Sequence, residues 1–129
     1  MSDERTFISP EANVENKPFW DGAAAGRLLI KHCKGCGQSH FYPRALCPHC
    51  FSADTHWQES KGDGTIYSFS VMRRVPQPYA IAYVTLDDGV TVMTNILEAD
   101  FDTLAIGQRV KVVFRPGTGG MTIPAFVLA

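Results

Sequence analysis

The stretch Cys33-Lys34-Gly35-Cys36-Gly37-Gln38-Ser39-His40-Phe41-Tyr42-Pro43-Arg44-Ala45-Leu46-Cys47-Pro48-His49-Cys50 holds every cysteine of the 129-residue chain, in two C-x-x-C clips. A tight turn lets each clip aim two thiolates at one point, and a tetrahedral ion takes four such soft donors. The pattern predicts a structural zinc held by Cys33, Cys36, Cys47 and Cys50. The spacer from Gly37 to Leu46 is shorter than the roughly 15–20 residues of the commonest doubled clip. Its content still fits: Gly37 suits the turn leaving the first clip, and His40-Phe41-Tyr42 reads as a short strand before Pro43.

Other uses of four cysteines fare less well. Disulfides suit an exported chain, but Met1-Ser2-Asp3-Glu4-Arg5 opens with no apolar run, so a reducing, cytoplasmic setting is expected. A redox-active clip opens a helix, and neither clip precedes a helical pattern. Iron in the same four thiolates stays open on spacing alone; zinc is favoured because nothing else in the chain points to electron transfer. His32, His40, His49 and His56 crowd the region, yet four thiolates already fill a tetrahedral shell.

A formal net charge of -1 and a pI near 6.4 give no basic field for a phosphate backbone, and 45% hydrophobic with 19% charged residues describes an ordinary globular chain. No apolar run approaches the ~20 residues of a membrane span. The chain divides into a tail and helix (1–25), a ribbon (26–60) and a barrel (61–129), with the polar start to about Asn13 expected to be disordered.

In the first part, Asn16 reads as an N-cap, Pro18 fits a first helical turn, and Gly26 ends the Ala23-Ala24-Ala25 run. Phe19 and Trp20 must pack on the chain's own core or on a partner, and a partner contact is expected on this helix together with the exposed barrel face. In the second, Arg27–His32 and Thr55–Glu59 read as strands entering and leaving the clips. So small a segment buries too little to fold alone, and metal binding supplies the difference.

The third part alternates strands with turns. Thr65–Met72 puts Ile66, Ser68 and Ser70 on one face and Tyr67, Phe69 and Val71 on the other. Ala80–Leu86 and Val90–Ile96 flank the hairpin signal Asp87-Asp88-Gly89. Arg109–Phe114 and Thr122–Val127 follow, Pro124 marking the last as an edge or bulged strand. Five strands in this order suit an OB-fold barrel, with half a sandwich as the alternative.

Pro18-Phe19-Trp20, Leu28-Leu29-Ile30, Cys33-x-x-Cys36-Gly37, Tyr42-Pro43-Arg44, Cys47-Pro48-x-Cys50, Gly62-x-Gly64-Thr65-Ile66-Tyr67-Ser68 and Ile106-Gly107-Gln108-Arg109-Val110 occur here in this order. Together they resemble the zinc-ribbon plus OB-fold proteins known as domain of unknown function thirty-five. The resemblance implies a mainly β fold: a short helix, a rubredoxin-like zinc ribbon and a five-stranded OB-fold barrel. It implies a non-catalytic accessory subunit that docks on and stabilises a thiolase-like enzyme, acyltransferase, aldolase or hydratase acting on acyl-CoA, in a hetero-oligomer. The partner would bring coenzyme A or acyl-CoA, and this chain would complete the site. The zinc ligands carry over to Cys33, Cys36, Cys47 and Cys50.

The residues read by themselves agree. Thiolates committed to a metal are not free nucleophiles, and a closed zinc has no position for water. Asp63, Asp87, Asp88, Glu98, Asp100 and Asp102 fall in turns. Arg73 and Arg74, beside the Val75–Tyr79 loop, are the best local cation cluster for coenzyme A phosphates, with Lys31, Lys34 and Arg44 second. A basic sheet edge that deters aggregation is the plainer reading of the pair. The alternative function is a single-stranded nucleic-acid module stacking bases on Tyr67, Phe69, Tyr79 and Tyr83, against which stands the absence of net positive charge.

Overall fold

The structure is a computed structural model and describes residues 7–129. Of the tail expected to be disordered, residues 1–6 lie outside the described residues. From Phe7 the chain is tied down: Phe7 bridges Gly117, and Ser9 donates its N–H to Thr118 Oγ1 at 2.9 Å.

Helix α1 (Lys17–Ala24) has proline in its first turn, where the fixed φ suits it. It closes where Gly26 takes φ +76°, with Gly26 N–H on the Ala23 carbonyl at 3.0 Å and Arg27 N–H on the Gly22 carbonyl at 2.8 Å. Asn16 occupies the N-cap position, but its side chain makes no cap bond. Instead Asn16 Oδ1 accepts from Asn13 N–H at 2.6 Å, while Nδ2 donates to the Tyr42 hydroxyl. The helix start is thereby stitched to the ribbon. Phe19 is buried in the chain's own core, edge-on to Trp20 and Phe41 at 4.8 and 5.4 Å. Burying such a ring contributes about 1.5–3 kcal/mol, which an eight-residue helix needs because it is too short to persist alone.

The ribbon sheet runs β2 (Ser39–His40), β1 (Leu28–Cys33), β3 (Thr55–Ser60), all antiparallel. The short strand expected at His40–Tyr42 forms one residue earlier and stops before Phe41. β1 and β3 pair from Leu28↔Ser60 to Cys33↔Thr55, so the cysteine turns lie at one end of the sheet and the barrel at the other. Gly62 makes the join. It sits at φ +77°, donates its N–H to Ser60 Oγ at 3.0 Å and accepts from Val112 N–H at 2.8 Å.

Strands β4 (Asp63–Met72), β5 (Tyr79–Leu86), β6 (Thr91–Ile96), β7 (Arg109–Pro116) and β8 (Thr122–Leu128) close in the order β4-β5-β6-β8-β7, the OB-fold arrangement and not a sandwich half. Ile66, Val84, Leu86, Ile96, Val110 and Phe126 fill the interior. In β4 the expected faces are corrected. The register slips between Ile66↔Val84 and Ser68↔Tyr83, so Tyr67 is an extra, unpaired residue. Beyond this bulge the alternation inverts: Phe69 and Val71 join Ile66 on the core, and Tyr67 faces out. Pro124 is tolerated because β8 meets β6 only at Ile96↔Phe126, leaving most of that edge unpaired. No helix among the described residues is long and apolar enough to cross a membrane.

At Asp87, Arg109 donates through Nη1 and Nη2 at 2.8 and 2.7 Å, clasping the β5–β6 turn to β7, and also reaches Thr65 Oγ1 at 3.0 Å. The Arg109 guanidinium holds the Asp87 carboxyl below its ordinary value.

Two outcomes follow. Gly62→Ala puts a Cβ 2.2 Å from Val112 Cγ1 at a left-handed backbone; thermal unfolding should register a loss of about 2 kcal/mol or more. A depressed folded-state carboxyl adds stability that is complete above its unfolded value and disappears as pH falls through the folded one. Urea midpoints against pH should therefore show Arg109→Ala less stable than wild type near neutrality, the two converging in acid as Asp87 protonates.

Candidate metal centre and exposed apolar face

Each clip turns in the same way. Gly37 N–H reaches the Cys33 carbonyl at 2.9 Å, and Phe51 N–H reaches the Cys47 carbonyl at 2.8 Å. Cross-bonds then close each turn, Cys33 N–H to the Gln38 carbonyl and Cys47 N–H to the Ser52 carbonyl, both 2.9 Å. The turns face one another and bring all four sulfurs within 4.8 Å. Cys33 and Cys50 Sγ stand 3.6 Å apart, Cys36 and Cys47 Sγ 3.7 Å. Sulfurs about 2.3 Å from a central zinc are roughly 3.8 Å from each other by tetrahedral geometry. The quartet therefore fits zinc, in a closed four-thiolate shell.

Charge also calls for a cation at this point. The backbone N–H of Cys36 draws the Cys33 thiol down to about 7. Cys50 moves oppositely: the Ser52 N–H favours its thiolate, but burial and the three other sulfurs push it up to about 12. Cys36 is also raised, since burial and Cys47 outweigh the Gln38 N–H. Sulfurs this close do not all ionise without a positive ion among them.

No histidine joins the quartet. His32 Nδ1 lies 3.0 Å from Ser39 Oγ, and its ring stands edge-on to that of His56 at 5.2 Å. His40 is buried with neither ring nitrogen hydrogen-bonded, and burial lowers its pKa.

The turn acids are largely engaged in ion pairs or hydrogen bonds. Asp87 meets Arg109, Asp88 accepts from Ser60, Glu98 meets Arg115 and Asp102 meets Arg73. The Arg73 contact, at 3.0 Å, separates the two basic candidates: Arg73 is engaged, whereas Arg74 is exposed and makes no ion pair among the described residues. Of the second-choice cations, Lys31 lies 4.7 Å over the Trp57 ring, Arg44 lies 5.3 Å over Tyr42, and Lys34 is exposed.

What sequence reading missed on the exposed barrel face is Ile81 and Met93, which make it apolar beside Tyr67 and Tyr83. Tyr67 (67% exposed), Ile81, Tyr83 and Met93 (65%) look outward from β4, β5 and β6, Tyr83 and Met93 being cross-strand neighbours. Tyr83 and Met93 also line a groove of about 450 Å³ between α1, the ribbon and the β6–β8 opening, together with Trp20, Phe41, Tyr42 and Ile123. Trp20 Nε1 is buried without a hydrogen-bond partner. The signal available in the sequence was the outward alternation Ile81, Tyr83 on β5 and Met93 on β6, apolar where water-facing strand positions are normally polar.

Comparison with known proteins gives matches along most of the chain. Residues 20–56 match the family model of the ChsH2 rubredoxin-like zinc ribbon domain, and residues 57–115 that of the ChsH2 C-terminal OB-fold domain. The chain is 31% identical over 122 residues to the probable enoyl-CoA hydratase alpha subunit of Thermomonospora curvata, covering 91% of this chain but only 38% of that protein. It is 34% identical over 96 residues to a DUF35 domain-containing scaffold protein of Methanocaldococcus jannaschii, 68% of this chain and 67% of the other. Its structure superposes on a chain of the Ltp2-ChsH2(DUF35) aldolase with TM-score 0.83 at 30% identity, over 93% of this chain and 98% of that one.

Cys47→Ser replaces a buried sulfur of the quartet. Elemental analysis of the purified variant should show zinc well below the single equivalent of wild type, with the ribbon amides losing protection from exchange, since structural zinc contributes on the order of 10 kcal/mol.

Proposed function

The chain belongs to the DUF35 family of zinc-ribbon and OB-fold proteins, and from that premise we propose that it is a non-catalytic accessory subunit of an acyl-CoA enzyme. Cys33, Cys36, Cys47 and Cys50 hold a structural zinc that fixes the ribbon; the barrel presents the docking face. The cytoplasm, which keeps thiols reduced, suits such a site.

The observation that carries this reading is the apolar stripe of Tyr67, Ile81, Tyr83 and Met93 running into the groove beside Trp20. Apolar side chains this exposed in one contiguous patch mark an interaction surface. Of the contact expected on the helix with Phe19 and Trp20 and on the exposed barrel face, Phe19 drops out because it is committed to the core, and Trp20 and the barrel face remain. Relatives whose names are those of a hydratase subunit and an aldolase complex support an acyl-CoA enzyme as the partner class.

Coenzyme A would approach from the Arg74 side. Arg74 offers an uncommitted guanidinium for a phosphate, and Arg73 would have to exchange Asp102 for it. Nucleic-acid binding draws less support, because the outward stripe mixes Met and Ile with tyrosines and the formal net charge is -1.

Coexpression with a thiolase-, aldolase- or hydratase-type subunit, followed by size exclusion, tests the proposal. A joint peak is expected, with enzyme activity that falls when this chain is left out. Met93→Asp should leave the melting temperature of the chain within a few degrees and weaken the complex at least about tenfold. A chain that always runs alone, or an enzyme indifferent to it, would refute the reading.

A further inference from the structure

The two cysteine turns match until the residue after the second cysteine of each. In the first turn that residue is Gly37, at φ +77°; in the second it is Phe51, at φ +65°. Their backbone bonds are equivalent, each N–H closing on the carbonyl of the first cysteine at 2.9 and 2.8 Å. A left-handed backbone is open to glycine and disfavoured for a residue with a Cβ and a bulky ring. Burial of the ring would normally offset that strain. Here it does not, because Phe51 is 78% exposed, and Leu46, just before the same turn, is 52% exposed. Position 51 thus gives the isolated fold neither backbone ease nor apolar burial. Strain kept with no local return points to a use outside the chain.

We infer that Phe51, flanked by Leu46, is an anchor that inserts into an apolar pocket of the acyl-CoA enzyme subunit; this rests on the function proposed above. Area shows that the ring does not act alone. An aromatic ring offers about 150–250 Å², far below the roughly 800 Å² that each side of a standard interface contributes. By itself the patch holds neither a second copy of this chain nor the enzyme, and the enzyme subunit is its occupant because the contact proposed above supplies the remaining area. As one buried aromatic within a larger interface it has the usual form of a dominant contact. The turn is also rigid: its N–H bonds to Cys47 and from Cys47 to Ser52 fix the base of the ring, so docking orders little that is not already ordered.

The test uses the full, zinc-loaded chain carrying Phe51→Gly, coexpressed with the thiolase-, aldolase- or hydratase-type subunit that the wild-type chain binds. Glycine takes the left-handed backbone freely, so the melting temperature of the chain alone should hold or rise by a few degrees. Affinity for the enzyme should fall at least about tenfold. Phe51→Asn, which also tolerates this backbone but has no ring, should lose affinity to the same extent. A drop in melting temperature with Phe51→Gly would make the ring a structural element and overturn the inference. So would a wild-type chain that is dimeric alone and becomes monomeric with Phe51→Gly. A complex equally tight with both variants refutes this inference alone, whereas no complex with the wild-type chain refutes it together with the proposed function.

Discussion

Four sulfurs held within 4.8 Å of one another are the constraint on which the rest of the architecture depends. As thiolates they repel, and only a cation at their centre turns that repulsion into the strongest tie in the ribbon. Two turns at the same end of the β1–β3 pair converge there, so the ion would set the pairing that runs from Cys33↔Thr55 down to Leu28↔Ser60. That ladder delivers the chain to Gly62 and the first barrel strand. The same sheet carries Phe41 to the helix, where Phe19 docks. Helix, ribbon and barrel are therefore positioned from one end, and the groove between them is the space their packing leaves.

The division of labour follows. A closed thiolate shell leaves no coordination position for water, and the turn acids are taken up largely in ion pairs across strands and loops. The polar groups of the barrel thus serve its own closure. Its apolar groups are in surplus: after Ile66, Val84, Ile96 and Phe126 have filled the interior, β5 and β6 still show Ile81, Tyr83 and Met93 to the outside.

Much of this was legible because the signals are local. A C-x-x-C clip, Asp87-Asp88-Gly89 between alternating runs, and Gly26 after an alanine run each act through a few neighbouring residues, and the structure shows each as a turn or a helix end. Non-local features were not readable. The bulge at Tyr67 exists because β4 must bend around a closed barrel, and a period-two reading has no place for an unpaired residue, so it sent Phe69 and Val71 to the wrong face. Asn16 looked like a cap because its type suits one, yet Asn13 and Tyr42 compete for the side chain. Arg73 and Arg74 read as an equivalent pair until Asp102 arrived from another loop. The strained backbone at Phe51 is likewise visible only when the two turns are laid side by side.

Backbone hydrogen exchange of the zinc-loaded chain, alone and saturated with the acyl-CoA enzyme subunit proposed as its partner, tests the central claim most directly. The account predicts slower exchange in the complex along Tyr79–Leu86 and Thr91–Ile96, with the ribbon core already protected in both states. Unchanged exchange on those two strands in a complex that has demonstrably formed would contradict it.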